Sequence, residues 1–207
     1  MDNHILKISK SRRNILDILE TSLNYNVEDY KNFNINEIDA MYNNEQLDML
    51  IEHKDNDKKI YIKYTVSGKQ MRSNIIDKYI EDLYDLEKVL SKNDTLIIVC
   101  QDEPNDTLIQ HMKHLYLSSG IFVVMNTLKR LQFNITNHSL VPPMTILDEE
   151  SERQLLEKYN LKSKNDLAEI SRFDPQAVAL LMRPGEVGKF ERNSITALNY
   201  DYYRICV

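Results

Sequence analysis

The sequence predicts an α/β N-terminal domain, a mixed layered sheet with helices, over residues 1–133, and a small α+β domain over 134–207. Three observations predict this. Apolar spacing switches repeatedly between a period of two and a helical period from Leu47 to Met125. The pair Pro142-Pro143 then breaks regular structure, because two prolines remove two backbone donors and hold the chain extended. Beyond it, short elements with strong start and stop signals follow closely.

Ile5, Ile8, Ile15, Leu16, Leu19 and Leu23 fall mostly on one helical face, and Asn24 to Asn26 mark its stop. A second short helix is expected at Ile35 to Tyr42. Leu47, Met49 and Ile51 alternate with Asp48, Leu50 and Glu52, and Ile60, Ile62 and Tyr64 with Tyr61, Lys63 and Thr65. The polar run Lys54 to Lys59 joins them into a hairpin. Arg72 to Leu90 returns to helical spacing through Ile76, Ile80, Leu83 and Leu86. Leu96 to Cys100 and Ile121 to Met125 read as buried strands, with a helix from Leu108 to Leu117 between them.

In the C-terminal domain Asp148 caps a helix that carries Glu149, Glu150 and Glu152 in its first turn and runs to about Tyr159. Asp174-Pro175 starts another, expected to bury Val178, Leu181 and Met182. Arg183-Pro184-Gly185 is a turn. Val187 to Arg192 and Tyr202 to Val207 are expected strands. A domain of this size buries only about 60% of its unfolded surface. Docking on a larger partner is the natural remedy.

The chain has 207 residues, 42% hydrophobic and 28% charged, a globular composition. No apolar run approaches the roughly 20 residues of a membrane helix, and the first residues lack the apolar block of a signal peptide. An intracellular protein is expected. Cys100 and Cys206 read as buried small hydrophobes and not as a disulfide framework. The net charge of −6 argues against a protein that binds DNA by itself, since that affinity comes from neutralising phosphates.

Several side chains invite chemistry. Glu52-His53-Lys54 at a strand end, with Asp39 or Asp48, has the acid-x-Lys pattern of a magnesium nuclease, which needs two or more carboxylates on the metal. Lys54 also begins a polar turn, where a Lys is ordinary. His111 and His114 have metal-ligand spacing but lack Cys or acidic companions, so exposed helix histidines are expected. Lys7, Lys10, Arg12 and Arg13 form a basic cluster, read first as a solvated helix face and second as a contact to phosphate or an acidic neighbour.

The segment Phe133 to Pro142 reads FNITNHSLVP. It resembles the inter-domain junction of the assembly-and-jaw subunit shared by the eukaryotic nuclear RNA polymerases, a family with an archaeal counterpart. Asn134, Ile135, Thr136, His138, Leu140, Val141 and Pro142 are the matching positions. The resemblance continues through Tyr159, Leu161, Leu167, Ile170, Asp174-Pro175, Gly185-Glu186-Val187, Arg192, Ser194 and Tyr203 to Val207. It is looser at Ser11 to Leu16 and Tyr25 to Val27. The chain departs from the family at Pro143-Met144, Val178, Ile195 and Glu103-Pro104-Asn105-Asp106, which changes polar contacts and leaves the fold pattern. Two acids near Pro104 weaken a contact with DNA. These departures and the bias towards residues of AT-rich codons would suit a large DNA virus encoding its own polymerase.

The resemblance implies a non-catalytic subunit of a DNA-directed RNA polymerase. Its C-terminal assembly domain would dock on the largest subunit, and its N-terminal jaw would lie near downstream DNA, touching it weakly or indirectly. Partners would be the largest and other polymerase subunits, with no membrane, cofactor, metal or small-molecule substrate. The compartment would be the nucleus, or the host cytoplasm and virion if the source is viral. Asp174, Pro175, Gly185, Arg192, Ser194, Tyr203 and Arg204 are expected at the partner interface. Arg on a strand of a small docking domain suits bidentate contacts. Asn134, Thr136, His138 and Pro142 are expected to form the junction, where His138 could satisfy a buried carbonyl. Arg12, Arg13 and Pro104 are expected near DNA. The alternatives are the nuclease, using Glu52 and Lys54, and a free-standing protein-interaction adaptor.

Overall fold

The computed structural model describes residues 3–66, 68, 70–194, 196 and 198–207. The chain divides into two compact units, Met1–Asn134 and Ile135–Val207. Each is built on its own four-stranded sheet.

In the first unit, helix α1 (Asn3–Thr21) buries Ile5, Ile8, Ile15, Leu16, Ile18 and Leu19 at helical spacing. Two short helices follow, α2 (Glu28–Lys31) and α3 (Ile35–Asn43). A capping box starts α3: the Glu37 amide donates to Asn34, and the Asn34 amide donates to the Glu37 carboxylate. Strands β1 (Met49–Glu52) and β2 (Lys59–Thr65) form the expected hairpin. Strands β3 (Thr95–Cys100) and β4 (Phe122–Thr127) join in parallel, giving the order β1-β2-β3-β4. Every residue of β3 and β4 is buried, as parallel strands covered on both faces require. Cys100 lies in this core, and burial pushes its thiol up to about 11.

Helix α4 (Ser73–Ile80) connects β2 to β3, and α5 (Asp106–Ser119) connects β3 to β4. Asn105 caps α5 by accepting from the Leu108 amide, and Gly120 ends it at φ 74. The single helix expected from Arg72 to Leu90 is corrected. After Ile80 the chain widens into a π-helical segment, Glu81–Leu86, closed by the Glu87 amide on the Asp82 carbonyl at 2.8 Å. The wider turn re-phases the apolar stripe. Leu83 is buried, whereas Leu86 is 69% exposed.

The outer edge of β1 is covered by the chain's own groups. The Tyr30 hydroxyl donates to the Leu50 carbonyl at 3.1 Å and accepts from the Leu50 amide at 3.2 Å. The Asn26 amide donates to the Glu52 carbonyl. One phenol and one loop thus satisfy an edge that would otherwise invite another strand.

Arg12 corrects the reading of the basic cluster. It is 2% exposed, so it faces neither solvent nor DNA. Its guanidinium lies 6.0 Å from the Phe33 ring centroid and 5.8 Å from that of Tyr64, and it donates to the Leu47 carbonyl. Its Nε and second terminal nitrogen are buried without a hydrogen-bond partner among the described residues. Desolvation lowers its pKa, partly offset by Tyr64, Tyr30 and Asp48. Lys7, Lys10 and Arg13 remain exposed on the same helix.

The second unit comprises β5 (Met144–Ile146), α6 (Glu149–Lys158), β6 (Ala168–Ile170), α7 (Pro175–Ala179), β7 (Val187–Ser194) and β8 (Leu198–Cys206). The strand order is β5-β7-β8-β6. Strands β5 and β6 escape a sequence reading because three residues are too few to show a period. Asp148 caps α6 through the Ser151 amide, and hydrogen bonding from the Ser151 side chain first and its amide second holds the Asp148 carboxyl below the ordinary value. Met144, Ile170, Ala177, Leu180, Met182, Phe190 and Cys206 form the core. Val178 and Met182 are buried as expected, but Leu181 is not. It takes φ 54 as α7 ends, and Leu180 turns inward instead. Gly188 leaves room for the core: a Cβ there would come within 2.9 Å of the Met144 methyl and 3.3 Å of that of Met182.

Truncation of Arg12 separates packing from charge. Arg12→Ala leaves a void beside Phe33 and Tyr64 and should cost about 3 kcal/mol. Arg12→Met keeps the volume and removes a buried, under-satisfied charge, and should be neutral or stabilising by about 1 kcal/mol. Urea unfolding of the full chain measures both; a large loss with Met would show that the charge itself holds the core.

Candidate functional site

The residues expected at a partner interface gather on and around the β7–β8 hairpin. The register pairs Gly188 with Arg204, Phe190 with Tyr202, Arg192 with Tyr200 and Ser194 with Leu198. Strand periodicity puts these eight residues on one face. That face is core at one end, where Phe190 and Cys206 are buried. At the other end it carries Arg192, Tyr200 and Leu198, and Leu198 is 81% exposed.

Tyr202 collects two cations. The Arg192 guanidinium lies 4.6 Å from its ring centroid and that of Arg204 5.2 Å. Such contacts contribute about 0.5–1 kcal/mol each at exposed sites. Arg204 also donates to the Glu169 carbonyl at 3.3 Å. On the opposite face one cation meets two acids: Lys189 sits 3.2 Å from Asp201 and 3.6 Å from Glu191. Tyr203 is on that face, edge-on to Tyr159 at 6.0 Å. Its pKa is raised by desolvation first and then by the Asp201 charge.

The other expected interface residues have local structural roles. Asp174 caps α7 by accepting from the Gln176 amide at 2.9 Å, and Pro175 is the first helical residue. The Gln176 side chain donates to the Pro142 carbonyl at 2.7 Å, which fastens the proline pair to α7. Gly185 takes φ 91, a conformation that strains any residue with a Cβ. Its amide donates to the Cys206 carbonyl and its carbonyl accepts from Lys164. Lys164 also pairs with the buried Glu152 at 2.6 Å. The Ser194 hydroxyl is 3.2 Å from that of Thr196. Ile195, one of the family departures, lies outside the described residues.

At the junction, Asn134 donates to Asp17 at 2.5 Å within the first unit. Thr136 is half-buried in a short 3-10 turn, Ile135–Asn137. His138 is exposed, and its Nδ1 accepts from the Leu140 amide at 3.2 Å. It thereby serves as an acceptor for a local turn.

Near the expected DNA side, Arg13 is exposed and Pro104 half-buried. Glu103, beside Pro104, is paired with Arg130 at 3.4 Å. The nuclease residues are not assembled. Glu52 is exposed and paired with Lys59 at 2.9 Å, and Lys54 is exposed in the turn. Asp48 is committed elsewhere, to Lys63, Tyr61 and the Tyr64 amide. It lies about 13 Å from Glu52 along the strand. Asp39 is exposed on α3 and engaged by Asn43. His111 is bound to Asp77 at 2.7 Å, while His114 is exposed. Among the described residues no group of three or more His, Cys, Asp or Glu could hold a metal, and no helix is long and apolar enough to cross a membrane.

Sequence reasoning missed Tyr200, Tyr202 and Gln176. The tyrosines had a signal, since Leu198, Tyr200, Tyr202, Arg204 and Cys206 alternate with polar residues and with Tyr203 and Ile205. Gln176 had none, because its role depends on where Pro142 folds back.

Known proteins match this second unit. Residues 133–206 match the family model for RNA polymerase Rpb5, C-terminal domain. The DNA-directed RNA polymerase subunit Rpo5 of Thermococcus kodakarensis is 45% identical over 76 residues, 37% of this chain and 92% of the relative. The Rpo5 of Pyrococcus abyssi is 43% identical over 76 residues, again 37% of this chain and 92% of the relative. DNA-directed RNA polymerases I, II, and III subunit RPABC1 of Caenorhabditis briggsae is 40% identical over 77 residues, 37% of this chain and 36% of that protein. With the hairpin, its capped helix and the junction all inside the matched segment, the chain belongs to the RNA polymerase Rpb5 family through its C-terminal domain.

Proposed function

We propose that this chain is a non-catalytic subunit of a multi-subunit DNA-directed RNA polymerase. Its C-terminal domain is the anchor on the largest subunit, and its N-terminal unit is a jaw near downstream DNA. One observation carries the first part: 92% of an archaeal polymerase subunit aligns with this domain at 45% identity. That relative consists of little else, so a domain of this kind is sufficient as a polymerase component. The three acids that a nuclease would draw on, Glu52, Asp48 and Asp39, are each engaged by a neighbour, which favours a scaffold over a hydrolytic role.

The jaw assignment rests on order along the chain and on charge. A chain of net charge −6 is a poor free-standing DNA ligand. Any phosphate contact falls to the exposed ridge Lys7, Lys10 and Arg13, spaced three apart on α1, since Arg12 is internal. The pairing of Glu103 with Arg130 reduces the repulsion expected beside Pro104. The protein works inside the cell, wherever its polymerase does, with other polymerase subunits as its partners.

A fragment of residues 133–207 should retain the cognate largest subunit on co-expression as the full chain does. Retention by the 1–133 fragment alone would contradict the anchor assignment. The free full-length chain should bind a duplex of about 30 base pairs more weakly than about 1 μM at physiological salt. Fluorescence anisotropy measures this, and sub-micromolar binding would count against the reading. Incubation with duplex and Mg²⁺ should leave the DNA intact; cleavage abolished by Glu52→Ala would instead support the nuclease.

A further inference from the structure

Strand β8 has nine residues, but its neighbour β6 has three and pairs only with Arg204 to Cys206. From Leu198 to Tyr203, β8 has β7 on one side and no strand on the other among the described residues. The direction of its backbone groups follows from two hydrogen bonds. The Cys206 amide donates to the Glu186 carbonyl, towards β7. The Val207 amide donates to the Ile170 carbonyl, towards β6. Alternation along the strand then turns the amides and carbonyls of Asn199 and Asp201 away from β7, to the open edge. In the first unit the corresponding edge of β1 is closed by Tyr30 and Asn26. The β8 edge has no such cover among the described residues.

The charge beside the open edge is one-sided. Arg192 and Arg204 share the face of Tyr202, and neither has a carboxylate within ion-pair distance among the described residues. The Arg204 Nε is buried without a partner among them. Further along the same face lie Tyr200 and the exposed Leu198. On the reverse face Lys189 is shared between Asp201 and Glu191, which leaves that face with one negative charge in excess and the cationic charge on the Tyr202 face alone. A strand added here needs a carboxylate opposite the two guanidinium groups and an apolar side chain two residues away, over Tyr200 and Leu198.

We infer that the Leu198–Tyr203 edge of β8 accepts an extended, acidic-apolar segment of the largest polymerase subunit as a fifth strand. The main-chain groups of Asn199 and Asp201 supply affinity, and Arg192, Arg204 and Tyr200 supply selectivity. This rests on the reading of the chain as a polymerase subunit anchored by its C-terminal domain.

The test uses the full-length chain co-expressed with its cognate largest subunit. In the complex, hydrogen exchange across residues 198–203 should slow at least about tenfold relative to the free chain. Asp201→Pro removes an outward donor at an edge position, where proline is tolerated. It should weaken retention of the largest subunit about tenfold. Asp201→Asn, which keeps the amide and loses the charge that meets Lys189, should behave like wild type. Arg192→Glu should weaken retention by a similar factor, and it carries the test if the proline variant melts differently when free. Unchanged exchange across 198–203 in a wild-type complex, or full retention by Arg192→Glu, overturns the inference and leaves the anchor reading standing. Failure of the wild-type chain to hold the largest subunit at all overturns both.

Discussion

The second unit depends on one mismatch of length: a long hairpin, β7–β8, flanked by two strands of three residues each. Where the short strands reach, the hairpin is covered and supplies Phe190 and Cys206 to a closed core. Beyond them it continues without neighbouring strands among the described residues and exposes both an unpaired edge and a cationic, aromatic face. Free edges favour pairing with any available strand, and folded chains usually blunt them. The first unit does so on β1 with a tyrosine hydroxyl and a loop amide. On the inference drawn above, the contrast within one chain separates an edge protected for folding from an edge kept for a partner.

The same contrast governs charge. In the first unit a full guanidinium is buried between Phe33 and Tyr64 with only one of its donors engaged. Such a group costs several kcal/mol to desolvate and favours specificity over stability. Arg192 and Arg204 sit instead on a half-exposed tyrosine, where water still screens them. Their energy is small while water screens them and rises where water is displaced, which on the proposed reading suits a docking surface.

Much of the fold was legible in sequence because long elements carry a period. Helix α1, the β1–β2 hairpin, the buried runs of β3 and β4, and the caps at Asp148 and Asp174 all follow from spacing and capping residues. What escaped was short or long-range. Strands β5 and β6 are defined by their partners and not by their own residues. The π-helical turn after Ile80 shifts the phase of an otherwise regular stripe. Arg12 looked like surface because charged residues usually are, and only the packing of Phe33 and Tyr64 shows otherwise. Among the site residues, Asp174, Pro175 and Gly185 were readable as cap, first helical residue and turn. The cluster of Arg192 and Arg204 about Tyr202 was not, since it needs the register of a hairpin whose second strand starts four residues earlier than expected.

On the proposed reading, the C-terminal domain, and not the N-terminal unit, fixes this chain to a transcribing polymerase. Chemical cross-linking of an intact polymerase purified through a tag on this chain addresses that most directly. Cross-links from Lys162, Lys164 or Lys189 to the largest subunit are the expected result. Cross-links to that subunit only from Lys7 or Lys10, or a purified complex without polymerase subunits, would contradict it.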